Sequence, residues 1–150
     1  MSVTFRDARA RDLSVIVALL ADDGLGRDRE KPQSPELYSL AFGRMEGDVN
    51  NRVIVAEQDG RIVGCFQITF IQGLSRAGAR RALVEGVRTS SEKRDQGIGE
   101  AMMRHAVELA RDAGCALVQL TSDKSRTRAH DFYVRLGFEQ SHEGFKLDLK

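Results

Sequence analysis

Two glycines one residue apart, Gly97 and Gly99, follow Arg94 in the stretch EKRDQGIGEAMMRHAVELA (92–110). An amphipathic helical pattern begins at once behind them. A helix start presents backbone N–H groups with no internal partner, and the helix dipole is positive there. Glycine lets the backbone approach an anion closely. Strand, polar loop, glycine pair and helix therefore make a phosphate-binding arrangement, and Arg94 adds a fixed positive charge. A bare Gly-x-Gly also serves as a tight turn and nothing more. Two familiar phosphate motifs are excluded by the neighbours. A P-loop needs Gly-Lys-Ser/Thr, but Glu100 and Ala101 follow Gly99. A dinucleotide fingerprint needs a third small residue at 102, which is Met102.

Other residues could carry proton chemistry. Strand alternation in RALVEGVRTS (81–90) puts Leu83, Glu85 and Val87 on one face and Val84, Gly86 and Arg88 on the other. A carboxylate among apolar strand residues is expected to be desolvated, with its pKa raised, as a base requires. The competing expectation is a pair with Arg81 or Arg88. Tyr133 reads either as a proton donor or as a core aromatic beside Phe132. His130 lies one turn before it, and His105 falls on the packed side of its helix. Cys65, in an apolar strand, reads as a small filler. Neither Cys65 nor Cys115 lies in a metal-type Cys-x-x-Cys, and no metal site is expected.

The elements that must position these groups follow from periodicity and punctuation. VTFRDA (3–8) reads as a strand. Asp12 is placed as an N-cap ahead of Leu13, Ile16, Val17 and Leu20 at helical spacing. Residues 21–33 read as a polar loop. Ser34-Pro35-Glu36 starts a second helix, with Leu37, Leu40, Ala41 and Met45 as its apolar face. RVIVAE (52–57) and RIVGCFQITF (61–70) flank the turn QDG as a hairpin. Residues 71–80 form a loop and 81–90 a strand. Residues 98–113 form a helix stopped at Gly114, and ALVQLTS (116–122) a strand covered on both faces. Residues 127–137 form a helix with Ala129, Phe132, Tyr133 and Leu136 inward. FEQSH and FKLDLK close the chain as a second hairpin. The order β-α-α-β-β-β-α-β-α-β-β is an α+β domain on a central mixed, mostly antiparallel sheet, spanning residues 1–150.

Bulk properties narrow the partners. Of 150 residues, 23 are Lys or Arg and 22 Asp or Glu, for a net charge of +1. That balance argues against a chain whose main task is gripping nucleic acid. No apolar run approaches a membrane span, and MSVTFRDARARDL lacks a signal-peptide core. Two cysteines make no disulfide framework. The expectation is a cytoplasmic protein, with a homodimer left open.

Arg94-x-x-Gly97-x-Gly99 after a strand ending near Val87, followed by AHDFYVRLGF, resembles the GNAT superfamily of acetyl-CoA-dependent N-acetyltransferases. The likeness runs along nearly the whole chain: VTFRDARARDLSVIVALL resembles the opening strand and helix, VIVAEQDGRIVGCFQIT the central hairpin, GVRTSSEKRDQGIGEAMMRHAVELARDAGC the cofactor segment, and AHDFYVRLGFEQ the last helix and strand. Three departures stand out. Asp95-Gln96 occupies a loop position where a glycine is commoner. Arg126 stands where relatives often have Asn. The stretch GLSRAGAR carries no family-wide clue to the substrate.

The resemblance implies acetyl-CoA as the acetyl donor. Its pyrophosphate would rest on the backbone amides of Gln96, Gly97, Ile98, Gly99 and Glu100, beside Arg94 and Asp95. Its pantetheine arm would lie along Val87, Arg88 and Thr89 like a missing strand. Arg126, in SRTR (125–128), is a candidate for the 3′-phosphate, and His130 for a cofactor or cleft contact. An amide near Val87 would stabilise the oxyanion. Tyr133 would protonate the departing thiolate, since an unperturbed tyrosine holds its proton up to a pH near ~10. Glu85, or water, would be the base. The substrate would be a primary amine of a small molecule, in a cleft built from residues 21–34, 71–80 and SHEGF. A non-catalytic acyl-CoA-binding regulator and a toxin-type acetyltransferase of aminoacyl-tRNA are the alternatives.

Overall fold

The computed structural model describes residues 2–150. Its contacts form two units, divided in sequence between Gln119 and Leu120. The first opens with β1 (Thr4–Asp7), a 3-10 turn at Ala10–Asp12 and α1 (Leu13–Ala21). The single turn α2 (Gly26–Arg29) and α3 (Pro35–Met45) follow, then β2 (Asn51–Gln58) and β3 (Arg61–Gln72). After the turn α4 (Ser75–Gly78) come β4 (Arg80–Thr89), α5 (Ile98–Asp112) and β5 (Leu117–Leu120), whose last residue begins the second unit.

The strands lie in the order β1-β2-β3-β4-β5. The first three neighbouring pairs are antiparallel. The β2–β3 hairpin turns at Asp59-Gly60, both with positive φ (54° and 77°), as a two-residue turn between right-twisted strands requires. β5 returns through the helical crossover of α5, and the Ala116 amide donates to the Arg80 carbonyl at 2.7 Å. Both strands thus set out from the same end of the sheet, which makes it mixed.

The core lies on both faces of β2–β4. Cys65 and Val55 pack against Ile16 and Leu19 of α1. One residue along, on the opposite face, Gly64 sits under Met102 of α5. α5 buries Ile98, Met102, Met103, Ala106 and Ala110, a stripe at helical spacing. His105 is half-buried on its flank and stacks on Phe5, ring centroids 4.3 Å apart. Burial holds its pKa below the ordinary histidine value.

Asp12 stands at the N-cap position of α1, but its carboxylate caps no α1 amide. It turns back instead, accepting from the Arg9 amide (2.7 Å) and from both Arg6 guanidinium nitrogens (2.8 and 3.0 Å). Arg6 also donates to Glu57 at 2.9 Å. An arginine fork between two carboxylates is a better partner than a lone amide. It makes Asp12 the one buried charged residue among the described residues.

Other expectations are corrected locally. The 21–33 loop contains the turn α2. α3 is rotated from the expected face: Tyr38, Phe42 and Met45 are half-buried, while Leu37 and Leu40 face outward. Bulky aromatics at 38 and 42 outcompete leucines for the inner side. β5 is half-buried rather than covered on both faces.

In the second unit, α6 (Thr127–Arg135) ends at Gly137, φ 103°, where the Phe138 amide folds back to the Tyr133 carbonyl at 3.0 Å. The expected closing hairpin at 138–150 does not form; the described residues there adopt no regular element. Phe145, Leu147 and Leu149 are 93%, 85% and 91% exposed. An alternating apolar pattern makes a strand only where a neighbour supplies ladder hydrogen bonds and a cover for the apolar face.

Candidate functional site

Arg80 fixes where β4 begins beside β5, but β4 has ten residues and β5 has four. From Glu85 onward β4 therefore runs past the end of its neighbour. There it also breaks its ladder with β3. Glu85 faces Gln67 and Arg88 faces Cys65, so Phe66 opposes both Gly86 and Val87. This is a β-bulge, and Gly86 takes it up with φ 60°, a conformation open to glycine. A bulge turns the following amide, that of Val87, out of regular register. Val87, Arg88 and Thr89 are half-buried beyond it.

The two arginines of this region are held from α1. Arg88 is nearly buried and pairs with Asp23 at 3.1 Å, while its Nη1 donates to the Val87 carbonyl at 3.0 Å. Its side chain is thus committed to the frame, and only its main chain is left for a ligand. Arg94 is half-exposed, donating to the Asp22 carbonyl at 3.0 Å with the Asp22 carboxylate 3.7 Å away. Adjacent aspartates at the end of α1 so clamp both ends of the loop between β4 and α5. The signal for them in the sequence is the acidic pair itself, Asp22-Asp23, closing an otherwise apolar helix. Asp23 also accepts from the Gly26 amide, which fixes α2 beside it. A hollow of about 420 Å³ opens next to the clamp, between α1, Ile62 and Ser90.

The loop ends in the expected glycine. Gly97 is left-handed (φ 80°, ψ 6°) at the N-cap of α5, exposed, with nothing within 4 Å of where a Cβ would stand. The first closing bond of the helix is Ala101 N–H to the Gly97 carbonyl, 3.1 Å. The amides of Ile98, Gly99 and Glu100 thus have no partner one turn back. The Ile98 side chain is buried and anchors the helix start, while Glu100 pairs outward with Arg104 at 2.8 Å. Gln96 reaches back to the Glu92 carbonyl at 3.5 Å. Asp95 also has positive φ, 65°, so the position where a glycine is commoner does adopt a glycine-like backbone. Open space at Gly97 and bare helix-start amides fit a pyrophosphate.

Glu85 is exposed, so the expected burial is absent, and of its two expected partners, Arg81 and Arg88, the second is paired with Asp23 instead. Cys65 is buried against the bulge, its thiol 3.8 Å from the Gly86 carbonyl. Burial pushes that thiol up to about 12, so it is no nucleophile at neutral pH. Among the described residues no cluster of His, Cys, Asp and Glu could hold a metal ion.

The remaining candidates lie on the second unit. Arg126 stands at the N-cap of α6, and the His130 amide donates to its carbonyl at 3.1 Å. The His130 Nε2 lies 2.9 Å from the Asp123 carbonyl, so the ring braces the turn before the helix. The Tyr133 ring packs edge-on to Phe132 and Phe138, with centroids 5.2 and 5.9 Å away. The aromatic-neighbour expectation thus holds, within a half-buried cluster rather than a core.

Comparison with known proteins places this geometry. The acetyltransferase (GNAT) family model matches residues 17–138. Glucosamine 6-phosphate N-acetyltransferase of Trypanosoma brucei brucei is 29% identical over 127 residues, 83% of this chain and 84% of that protein. Aminoalkylphosphonate N-acetyltransferase of Salmonella typhimurium is 34% identical over 102 residues, 68% of this chain and 66% of that protein. The crystal structure of a transcriptional regulator from Bacillus halodurans C-125 superposes with a TM-score of 0.95 and 47% identity, covering 99% of this chain and 100% of that one. The bulged β4, the glycine-capped α5 and the family match over 17–138 lead to one assignment: the chain belongs to the acetyltransferase (GNAT) family and is an acyltransferase.

Proposed function

We propose that the chain, acting as one domain, is an acetyl-CoA-dependent N-acetyltransferase that acetylates the primary amine of a small molecule carrying a phosphate or phosphonate. The observation that carries the acetyl-CoA reading is the β4 bulge at Gly86-Val87 followed by the left-handed Gly97 at the head of α5. Bound acetyl-CoA supplies an acetyl group activated as a thioester. The amides of Ile98 to Glu100, with Arg94, would hold its pyrophosphate, and the main chain of Val87 to Thr89 its pantetheine arm. Arg126 and His130 would make secondary contacts.

The Val87 amide, turned by the bulge, would donate to the thioester carbonyl oxygen as negative charge builds on it; one such donor is worth about 3 kcal/mol. Glu85, exposed two residues ahead of Val87, removes the ammonium proton directly or through water, leaving the amine lone pair free to attack. The Tyr133 hydroxyl would give its proton to the departing sulfur, and the tyrosinate, directly or through water, would take up the second proton that the attacking nitrogen sheds as the amide forms.

The anionic substrate class has two supports. Both curated relatives above are named for amines that bear a phosphorus oxyanion. In the candidate substrate segment, Asp22, Asp23 and Glu30 are taken up by Arg94, Arg88 and Tyr38. Arg27, Arg29 and Lys31 then stand against Asp28 and Glu30, whose charge a neutral hydroxyl does not cancel, so three positive and two negative charges leave the segment weakly positive.

A thioester-consumption assay against an amine panel tests the reading. Turnover should be highest with amino-sugar phosphates or aminoalkylphosphonates and fall at least tenfold when the phosphorus group is removed. Equal turnover of the neutral amines would sink the anionic class. Binding of acetyl-CoA without turnover of any amine would favour the regulator reading, to which the name of the Bacillus halodurans protein gives some support.

A further inference from the structure

On the sheet face that packs against α1, Val55 and Cys65 are buried. Side chains two apart on a strand share a face. Along β3 the next two residues of that face are Gln67 and Thr69. β2 answers them with Val53 and Asn51, and β4 with Glu85 and Leu83. The face thus turns from apolar to polar one step from the bulge that carries Val87. Asn51, Gln67 and Thr69 are half-buried there, and Glu85 is exposed.

The polar side chains are tied together. The Gln67 Nε2 donates to the Asn51 Oδ1 at 2.9 Å, and the Thr69 hydroxyl donates to the same oxygen at 3.3 Å. Cross-strand pairs of this kind hold strands in register. That task uses the nitrogen of the Gln67 amide and leaves its oxygen bare. Among the described residues neither the Gln67 Oε1 nor the Glu85 carboxylate receives a hydrogen bond. Gln67 stands directly opposite Glu85. Such partners hold their Cβ atoms roughly 5 Å apart, a spacing that one nitrogen with several N–H bonds can bridge.

We propose that the Gln67 Oε1 and Glu85 form the subsite that recognises the acceptor amine, with Asn51 as the positioning residue that holds the Gln67 amide. The inference rests on the acetyl-transfer reading above, in which Glu85 is the base. An ammonium group gives one N–H to Glu85, which takes that proton, and a second N–H to the Gln67 Oε1. No proton passes to Gln67. With two directions of the nitrogen fixed, the lone pair released by Glu85 points away from both acceptors. The subsite also selects the element. A hydroxyl has one proton and satisfies one acceptor, so the other is left bare against an oxygen. A site built this way rejects an alcohol in place of the amine.

Two pairs of probes differ in that exchange alone: glucosamine 6-phosphate against glucose 6-phosphate, and 2-aminoethylphosphonate against 2-hydroxyethylphosphonate. Calorimetry in the presence of CoA reads their binding without turnover. In at least one pair the parent should prefer the amine by roughly a hundredfold. Gln67→Met keeps the length of the side chain and removes the acceptor. It should lose about tenfold of that preference, the low end for a hydrogen bond to a charged group. Acetyl-CoA affinity and melting temperature should hardly move. Asn51→Ala should lose part of the preference, and Asn51→Asp, which keeps the oxygen that holds Gln67, should restore it. Gln67→Glu keeps an acceptor and adds a charge. It should retain the preference, and the rise of kcat/KM with pH should shift to higher pH, because a second carboxylate holds the ammonium proton in place. A merely structural role would not move that rise. An unmoved rise, or an unchanged amine-to-alcohol ratio in Gln67→Met, overturns the subsite; if the parent still acetylates the amine, the acetyl-transfer reading survives. A parent that binds amine and alcohol equally also overturns it. A parent that acetylates no amine removes the reading itself, and the subsite with it.

Discussion

The chain up to Gln119 and the chain after it solve the positioning problem differently. Every fully buried apolar side chain among the described residues belongs to the first part, and α6 contains no buried residue. The proposed anion site is therefore built on a packed frame, with α5 anchored through Ile98 and Met102 and the β4 bulge held between Cys65 and the Arg88–Asp23 pair. The proposed acid, Tyr133, rests on an aromatic cluster that is only half-buried. Cofactor binding should thus be robust to surface change, and proton delivery should depend on a more easily perturbed element.

The largest effect is expected where the frame holds its buried charge. Asp12→Ala leaves Arg6 with Glu57 as its one carboxylate partner and removes the acceptor for the Arg9 amide; losing these charge-assisted hydrogen bonds should cost up to about 3 kcal/mol. Denaturant unfolding would report it as a lower midpoint with an unchanged slope. The pH dependence has a definite sign. Hydrogen bonds from Arg6 and Arg52 hold the Asp12 and Asp7 carboxyls below their ordinary value. Their contribution is therefore present above the usual carboxylate range, near ~4, and is lost as pH falls through the lowered folded values. Asp12→Asn should flatten that acid limb; an unchanged limb would mean the buried pair does not govern it.

Tyr133→Phe comes next and probes the other half of the contrast. It deletes one hydroxyl and keeps the ring against Phe132 and Phe138. Turnover should fall about a hundredfold, the low end for general-acid catalysis, because a thiolate is already a fair leaving group. Acetyl-CoA affinity and melting temperature should hardly move. Unchanged turnover removes Tyr133 from the mechanism, and a large loss of melting temperature would mean its cluster supports more of the fold than its burial suggests.

Much of the first part was legible because each signal is local. Asp59-Gly60 specifies a hairpin, Pro35 a helix start, and the 98–112 stripe a core helix. The glycine at the head of α5 was legible for the same reason, and with Arg94 it marks the loop proposed to hold an anion. What stayed hidden is nonlocal. The pairing of Asp22 and Asp23 with arginines some 70 residues away depends on the fold, and so does Arg88 choosing Asp23 over Glu85. The bulge had a readable cue, Gly86 inside an apolar strand. The closing hairpin failed for a related reason: alternation specifies which face of a strand is apolar, not what covers that face.

Gly97→Val tests the rigid side at smaller magnitude. A left-handed backbone costs an L-residue roughly 1–2 kcal/mol, and more for a branched one. The added side chain would occupy open space in front of the α5 amides. Acetyl-CoA affinity, read by calorimetry, should drop at least tenfold, with a smaller change in fold stability. Equal affinity would move the cradle elsewhere.

The smallest effect, and the sharpest probe of the loop, is expected from Asp95→Gly. Asp95 holds a left-handed backbone two residues before Gly97. Glycine would relieve that strain but also enlarge the freedom of the unfolded chain, by about 0.4–1 kcal/mol. The two terms nearly offset, so stability should change by less than ~0.5 kcal/mol. The charge term is not offset. An exposed carboxylate in front of a helix start opposes a second anion there, on the order of 0.3–1 kcal/mol at low salt. Acetyl-CoA should therefore bind about two- to fivefold more tightly to the glycine variant at low ionic strength, and the gain should fade as salt shortens the Debye length. A gain that ignores salt would trace to backbone freedom instead. No gain at low salt would put the pyrophosphate away from residues 95–100, and the anion site would then have to be sought beyond the glycine-capped end of α5.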